Sequence, residues 1–205
     1  MTPQTFLLLA ESSSQAYSEP DMFSKWFEKV GSGSPDFIEK AGTQAYCFET
    51  DVDRVLVFRG TEPEQLRDWR ADANLNKLSM QEGGCVHEGF SRALDQVWNP
   101  TEKWLSTAGA KKLWITGHSL GGALALLAGA RLNGIEANVC TYGQPRVGDQ
   151  LFAMQAEKKL GSRYCRFVHN RDIVARIPLY TIGFRHFGRS FISRMGSRRR
   201  LILGW

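Results

Sequence analysis

A serine lies between two glycines in the segment GHSLG, residues 117–121 of this 205-residue chain. The hydrophobic stretch 112–116 before it predicts a buried strand, and the alanine- and leucine-rich stretch 120–132 predicts a helix. A tight turn between such a strand and helix pushes the serine hydroxyl out of the sheet, and flanking glycines leave room for that turn. The sequence therefore predicts that Ser119 is a nucleophile.

A serine that attacks a carbonyl group also requires hydrogen-bond donors for the oxyanion that develops. The backbone N–H of Leu120 is one such donor, because it lies at the positive end of the predicted helix. The second donor must come from the end of an earlier strand. Residues 55–59 predict that strand, Gly60 allows the chain to turn, and Thr61 can supply its N–H and its hydroxyl. Thr61 and Leu120 are therefore the predicted oxyanion hole.

A serine hydroxyl becomes a good nucleophile when a base takes its proton, and the chain contains four histidines. His118 is adjacent to Ser119, but neighbouring residues in so tight a turn do not face each other. His118 is therefore predicted to have a structural role. Where a nucleophilic serine lies on such a strand–turn–helix, the catalytic acid follows the serine along the chain and the histidine follows the acid. This order leaves His169 and His186 as candidates for the base.

Four acidic residues follow the serine: Glu136, Asp149, Glu157 and Asp172. Asp172 comes just after the predicted strand 163–168, at the carboxyl end where the sites of α/β proteins collect. His169 precedes Asp172 and breaks the order, whereas His186 follows it. The predicted triad is thus Ser119 as nucleophile, His186 as general base and acid, and Asp172 holding the imidazolium.

Predicted strands and helices alternate along most of the chain and must position these residues. Residues 44–50 and 54–60 are rich in β-branched and aromatic side chains and predict a hairpin. Further segments predict a helix at 87–107 disturbed at Pro100, strands at 137–143 and 163–168, and a helix at 149–160. This order predicts a single α/β domain over residues 1–205, a three-layer sandwich with helices flanking a mostly parallel central sheet.

Seven separated motifs resemble, in order, those of class 3 lipases, the family that includes filamentous-fungal triacylglycerol lipases and feruloyl esterases. They are VFRGT (57–61), DWRADAN (68–74), VHEGF (86–90), TGHSLGGALA (116–125), TYGQPRVGD (141–149), NRDIVARIP (170–178) and FRHFG (184–188). The resemblance covers about residues 40–190. It implies an α/β-hydrolase fold, the same triad, Thr61 and Leu120 as oxyanion donors, and no cofactor.

The expected activity is hydrolysis of acylglycerols or related lipid esters through an acyl-enzyme intermediate. Phospholipids, galactolipids and small aryl esters stay open as substrates, because the sequence does not place the side chains of an acyl-binding groove. A non-catalytic lipid- or membrane-binding protein on a lipase scaffold is the alternative from a different class. The presence of all three triad residues and both oxyanion residues favours the hydrolase. No metal site is predicted, because VHEGF lacks a second histidine at helical spacing.

Residues 62–69, EPEQLRDW, depart from the family pattern. In class 3 lipases the lid after the oxyanion residue usually carries bulky apolar side chains that meet the lipid interface. Here only Leu66 and Trp69 are large and apolar, and most of the other residues are charged. We therefore expect weak interfacial activation.

The net charge of +5 is concentrated near the C-terminus. Residues 173–205 contain seven arginines and no acidic residue, so the rest of the chain sums to −2. The basic tail, residues 189–205, indicates either attraction to an anionic lipid surface or a solvated end, and no nucleic-acid partner is predicted.

The four separated cysteines favour reduced thiols, and no signal peptide or membrane span is recognisable, so a cytoplasmic location or non-classical export is expected.

Overall fold

The computed structural model describes residues 2–61, 76–107, 109–169, 172, 174, 177 and 183–193. The NRDIVARIP motif at 170–178 is described only at residues 172, 174 and 177, and three other segments interpreted above lie wholly outside the described residues. They are the charged segment 62–69, the DWRADAN motif at 68–74 and the last part of the basic tail, 194–205.

Five α-helices and eleven strands occur within the described residues. The helices are α1 (Pro3–Gln15), α2 (Pro20–Phe27), α3 (Glu88–Ser106), α4 (Leu120–Arg131) and α5 (Gln150–Leu160). The strands are β1 (Asp36–Lys40), β2 (Thr43–Glu49), β3 (Asp53–Phe58), β4 (Lys77–Ser79), β5 (Cys85–His87), β6 (Lys112–His118), β7 (Ala137–Tyr142), β8 (Gly148–Asp149), β9 (Tyr164–His169), β10 (Phe184–Arg185) and β11 (Arg189–Ser193).

Seven of these strands form the central sheet, in the order β1-β2-β3-β6-β7-β9-β11. The first three are antiparallel to one another, and from β3 to β11 every neighbouring pair is parallel. Strands β10, β8, β5 and β4 form a small antiparallel sheet beside it. Since the carboxyl ends of parallel strands meet at one edge, the turns after β3, β6, β7 and β9 lie together.

Helices cover both faces of the central sheet. Side chains alternate between the faces along each strand, so Leu56 and Phe58 of β3 join one hydrophobic core while Val55 and Val57 join the other. The core that includes Leu56 is closed by α3, α4 and α5, and the core that includes Val55 is closed by α1 and α2. The predicted three-layer α/β sandwich with a mostly parallel sheet is confirmed.

Local sequence explains where the helices begin. Pro3 opens α1, and the Thr2 hydroxyl caps it by accepting a hydrogen bond from the N–H of Thr5 at 3.2 Å. The Asp149 carboxylate likewise accepts from the N–H of Phe152 at 2.9 Å and starts α5.

None of the described helices combines the length and apolar character needed to span a lipid bilayer.

Helix α3 differs from the expectation at Pro100. The sequence predicted a disturbance there, but the helix runs unbroken from Glu88 to Ser106 with the proline inside it. Proline removes one backbone hydrogen bond, yet both halves of the helix bury apolar side chains, including Leu94 before it and Leu105 after it. Tertiary packing therefore holds the helix together where local preference disfavours it.

The two outermost strands of the central sheet were not predicted. Strand β1 is mostly exposed and has little hydrophobic pattern. Strand β11 lies at the start of the basic tail, where Arg189–Ser193 pair in parallel with Cys165–His169. Its position is set by pairing with a strand more than twenty residues earlier in the chain, and no local pattern in the sequence indicates that pairing.

Candidate active site

Ser119 lies on a sharp turn between β6 and α4, as predicted. It is the residue before the first turn of α4, and its φ of 55° and ψ of −123° are strained for a residue with a side chain. The turn is held by the Ser119 N–H, which donates to the carbonyl of Tyr142 at 2.9 Å. A Cβ on Gly117 would stand 2.5 Å from the carbonyl oxygen of Gly121, so glycine is required where the two arms of the turn meet.

The hydroxyl of Ser119 is fully buried. Within the described part of the chain, no group makes a hydrogen bond to its Oγ. A hydrogen bond between Ser119 Oγ and His186 is therefore absent from the described residues, and their pairing stays a prediction. Catalytic hydrogen bonds of this kind often tighten only when substrate binds.

The two predicted oxyanion residues come together. Thr61 and Leu120 line one pocket of about 230 Å³, together with Gly60 and Leu124. The end of β3 touches the start of α4, since a side chain on Gly121 would collide with the Phe58 carbonyl. A larger cavity of about 440 Å³ lies among β4, α3, α4 and α5 and contains none of the predicted site residues.

Asp172 follows β9, at the same edge of the sheet as Ser119. Its own N–H donates to the carbonyl of His169 at 2.9 Å, which anchors the residue to the end of the strand. Its Oδ1 accepts from the N–H of Val174 at 2.9 Å. Its Oδ2 faces Gly143, where a Cβ would stand only 2.7 Å away. The carboxylate is thus oriented by main-chain groups on one side and by the end of β7 on the other.

His186 lies between β10 and β11 and is partly exposed. The residues around it are anchored, because Phe184 is fully buried and Phe187 packs against the Tyr164 ring with centroids 4.8 Å apart. The carbonyl of Phe187 also accepts a hydrogen bond from Nε of Arg166 at 3.1 Å. The two strands that flank His186, β10 paired with β8 and β11 paired with β9, therefore fix the position of its backbone.

His118 has the structural surroundings that the sequence predicted. Its Nδ1 is 2.9 Å from the hydroxyl of Tyr17, just beyond the end of α1. Burial lowers the pKa of His118, while the nearby Asp172 carboxylate raises it by a smaller amount. Sequence reasoning missed Tyr17, because a single tyrosine 101 positions from its partner carries no local signal.

His87, from the VHEGF motif, immediately precedes α3, in agreement with the predicted helix start. Its ring stacks on that of Phe90 with centroids 4.3 Å apart, and burial lowers its pKa. Among the residues described, no group of three histidine, cysteine, aspartate or glutamate side chains is placed to hold a metal ion.

Comparison with known proteins supports one family. The family model for lipases of class 3 matches residues 55–182, which include Thr61, Ser119 and Asp172. A lipase of Rhizopus niveus is 36% identical over 159 residues, which cover 71% of this chain and 40% of that protein. A secreted mono- and diacylglycerol lipase of Fusarium solani is 34% identical over 155 residues, 72% of this chain and 46% of that protein. The chain thus spans less than half the length of these two relatives.

Structural similarity extends over nearly the whole chain. A solved triacylglycerol lipase, whose catalytic centre is formed by a serine protease triad, superposes with a TM-score of 0.78 and 27% identity. The match covers 94% of this chain and 81% of that one, and the shared architecture is the α/β-hydrolase fold. Since the family model spans more than half of its residues, the chain belongs to the class 3 lipase family.

Proposed function

We propose that this protein is a serine ester hydrolase that cleaves acylglycerols or related lipid esters. The observation that carries the proposal is the backbone of Ser119, which is held at a φ of 55° directly before α4. Such strain persists only where the surrounding structure enforces it, and here it places a serine hydroxyl beside the positive end of a helix. The Thr61–Leu120 pocket adjoins this turn and offers a place for an oxyanion.

The proposed reaction begins when His186 takes the proton of Ser119 and the Ser119 oxygen attacks the ester carbonyl. The N–H groups of Thr61 and Leu120 stabilise the tetrahedral oxyanion. His186 then gives its proton to the leaving alcohol, and an acyl-enzyme remains on Ser119. Water, deprotonated by His186, releases the fatty acid by the same steps. Asp172 stabilises the imidazolium throughout and keeps its charge.

The relatives support acylglycerols as the substrate class, because they are named as lipases or as a mono- and diacylglycerol lipase. Arg189, which begins β11, is the first residue of the basic tail and adds positive charge at that edge of the sheet. We propose that the tail favours an anionic lipid surface. The lower the salt concentration, the more strongly such a surface should attract the protein.

Covalent labelling tests the nucleophile. A fluorophosphonate probe should label the wild-type protein once, and Ser119→Ala should abolish the label. His186→Asn should slow labelling strongly, whereas the matched control His169→Asn should not. Equal labelling of the wild type and Ser119→Ala would refute the assignment. Loss of labelling in His169→Asn alone would identify the other histidine as the base.

A substrate panel tests the proposed chemistry. Purified protein should release fatty acid from mono-, di- and triacylglycerols of several chain lengths, and Ser119→Ala should not. Phospholipids and galactolipids belong in the same panel as competing substrates. Labelling at Ser119 without release from any acylglycerol would contradict the proposed substrate class while leaving the nucleophile in place.

A further inference from the structure

Tyr17 ties the N-terminal helix to the turn that carries Ser119. Its hydroxyl lies 2.9 Å from Nδ1 of His118, and the two rings meet edge to face with centroids 5.8 Å apart. A side chain on Gly60 would meet both the Tyr17 hydroxyl and the His118 carbonyl oxygen. Tyr17 and His118 therefore pack against Gly60, next to the residues Thr61 and Leu120 that would bind the oxyanion.

The other side of the His118 ring is directed towards Asp172. A Cβ on Gly143 would stand 3.2 Å from Nε2 of His118 and 2.7 Å from Oδ2 of Asp172. Both atoms thus lie on the same side of Gly143, in the space that a side chain would otherwise fill. Gly143 has a φ of 55°, which favours glycine for a second and independent reason. The end of β7 therefore leaves room for an imidazole and a carboxylate next to each other.

The two oxygens of Asp172 have different surroundings. Oδ1 accepts the N–H of Val174, so Oδ2 is the oxygen on the His118 side. A carboxylate there attracts an N–H and repels a lone pair. A neutral imidazole has one N–H, and the hydrogen bond made by one nitrogen determines what the other presents. If Nδ1 accepts the Tyr17 hydroxyl proton, Nε2 carries the hydrogen that faces Asp172.

We propose that His118 and Tyr17 are positioning residues for the reaction: Tyr17 fixes the tautomer of His118, and the Nε2–H of His118 orients the Asp172 carboxylate. The inference rests on the proposed ester hydrolysis, because Asp172 is the residue that would hold His186. It gives the histidine beside the nucleophile a role that does not involve the serine proton. When His118 donates to one oxygen of Asp172, the carboxylate has a fixed orientation. Its remaining lone pairs are then available to His186.

Two substitutions of His118 separate this role from a purely structural one. The amide nitrogen of glutamine reaches about as far as Nε2, whereas that of asparagine reaches about as far as Nδ1. His118→Gln should therefore keep a donor near Asp172, and kcat should stay within about 3-fold of wild type. His118→Asn should keep only the contact with Tyr17 and lower kcat by about 10-fold, with KM unchanged. A role in packing against Tyr17 predicts the reverse order.

The role of Tyr17 is tested with a double-mutant cycle. Tyr17→Phe should lower kcat by about 5-fold in the wild type. It should have no further effect on His118→Gln, because an amide has no tautomer to fix. An equal loss in both backgrounds would show that Tyr17 acts elsewhere, for example through Gly60, and would overturn this half of the proposal. Thermal unfolding of each variant checks that rates are compared between folded proteins.

Nitrogen NMR of the His118 ring provides a readout that does not depend on turnover. The shifts should show a neutral ring with the proton on Nε2, and Tyr17→Phe should make the two tautomers more equally populated. A proton on Nδ1 in the wild type would refute the inference, even if the enzyme hydrolyses esters. Conversely, the expected tautomer in a protein that Ser119-directed probes do not label would reject the proposed function and leave this arrangement standing.

Discussion

Gly117 and Gly121 meet across the turn that presents Ser119. A Cβ on Gly117 would stand 2.5 Å from the carbonyl oxygen of Gly121, and a Cβ on Gly121 would collide with the Phe58 carbonyl. The close contact joins β6, α4 and β3 through backbone atoms, which cannot move aside as the tip of a flexible side chain can. The geometry of the nucleophile and that of the proposed oxyanion hole are therefore coupled.

We expect Gly117→Ala to destabilise the protein by about 2–4 kcal/mol and to abolish labelling of Ser119. The matched control is Gly109→Ala, because a Cβ there meets no atom within 4 Å. Chemical denaturation of both variants measures the difference. A Gly117→Ala protein as stable and as reactive as Gly109→Ala would show that the turn tolerates a side chain.

Ser119→Ala should stabilise the protein by about 1 kcal/mol while lowering the rate at least about 10⁴-fold. The reason is that the buried Oγ has no hydrogen-bond partner among the described residues, so its removal relieves a desolvation cost. Ser13→Ala is the comparison. Its Oγ is also buried but donates to the Leu9 carbonyl at 2.7 Å, and its loss should destabilise. A destabilised Ser119→Ala would indicate that the hydroxyl is hydrogen-bonded in solution.

The buried histidines predict how stability depends on pH. Burial lowers the pKa values of His87 and His118, so both rings bind protons more weakly in the folded protein than in the unfolded chain. The two neutral rings therefore contribute fully to the stability of the folded protein above the unfolded pKa of about 6.5. This contribution to stability is lost as the pH falls below that value. The unfolding temperature should therefore decrease from about pH 7.5 to about pH 5.5, above the range where carboxylates titrate.

Variants identify the source of that slope. His118→Gln and His87→Gln should each make the dependence on pH shallower, and the double variant should be the flattest. The measurement is the unfolding midpoint at several pH values in one buffer system. If both single variants keep the wild-type slope, groups other than these two histidines cause it.

Interfacial activation should be weak, because residues 62–69 contain only Leu66 and Trp69 as large apolar side chains. The rate on a short-chain ester should rise smoothly through its solubility limit. Replacing Glu64 and Arg67 with leucine should create a steeper rise at the limit. A sharp jump in the unmodified protein would contradict the expectation drawn from composition.

Much of the fold could be predicted because the signals are local. The hairpin of β2 and β3 and the turn around Ser119 follow from hydrophobic runs, turn residues and paired glycines within short windows. Edge strands β1 and β11 could not, since they are short and depend on a partner strand for their conformation. The sequence also assigned the acid and the base from their order and from their place after the strand 163–168, and neither says anything about the distance between Ser119 and His186.

The surroundings of His118 show the same limit at the level of a single residue. The tight turn predicted that its ring points away from Ser119, but not what the ring would meet. Tyr17 reaches it from just beyond the end of α1, and Asp172 approaches from the end of another strand. Such contacts arise from packing three layers together, and no spacing within one segment encodes them.

Parallel pairing of β9 with β11 places both ends of residues 170–188 on adjacent strands of the central sheet. The segment that supplies the proposed acid and base thus leaves and re-enters the central sheet, with five paired positions in β11 after it, and β10 within it pairs with β8 of the small sheet. Replacing this segment with that of another family member would have to keep both the register of β9 with β11 and the pairing of β10 with β8. The proposed acid and base are therefore carried by one segment that both sheets hold in place.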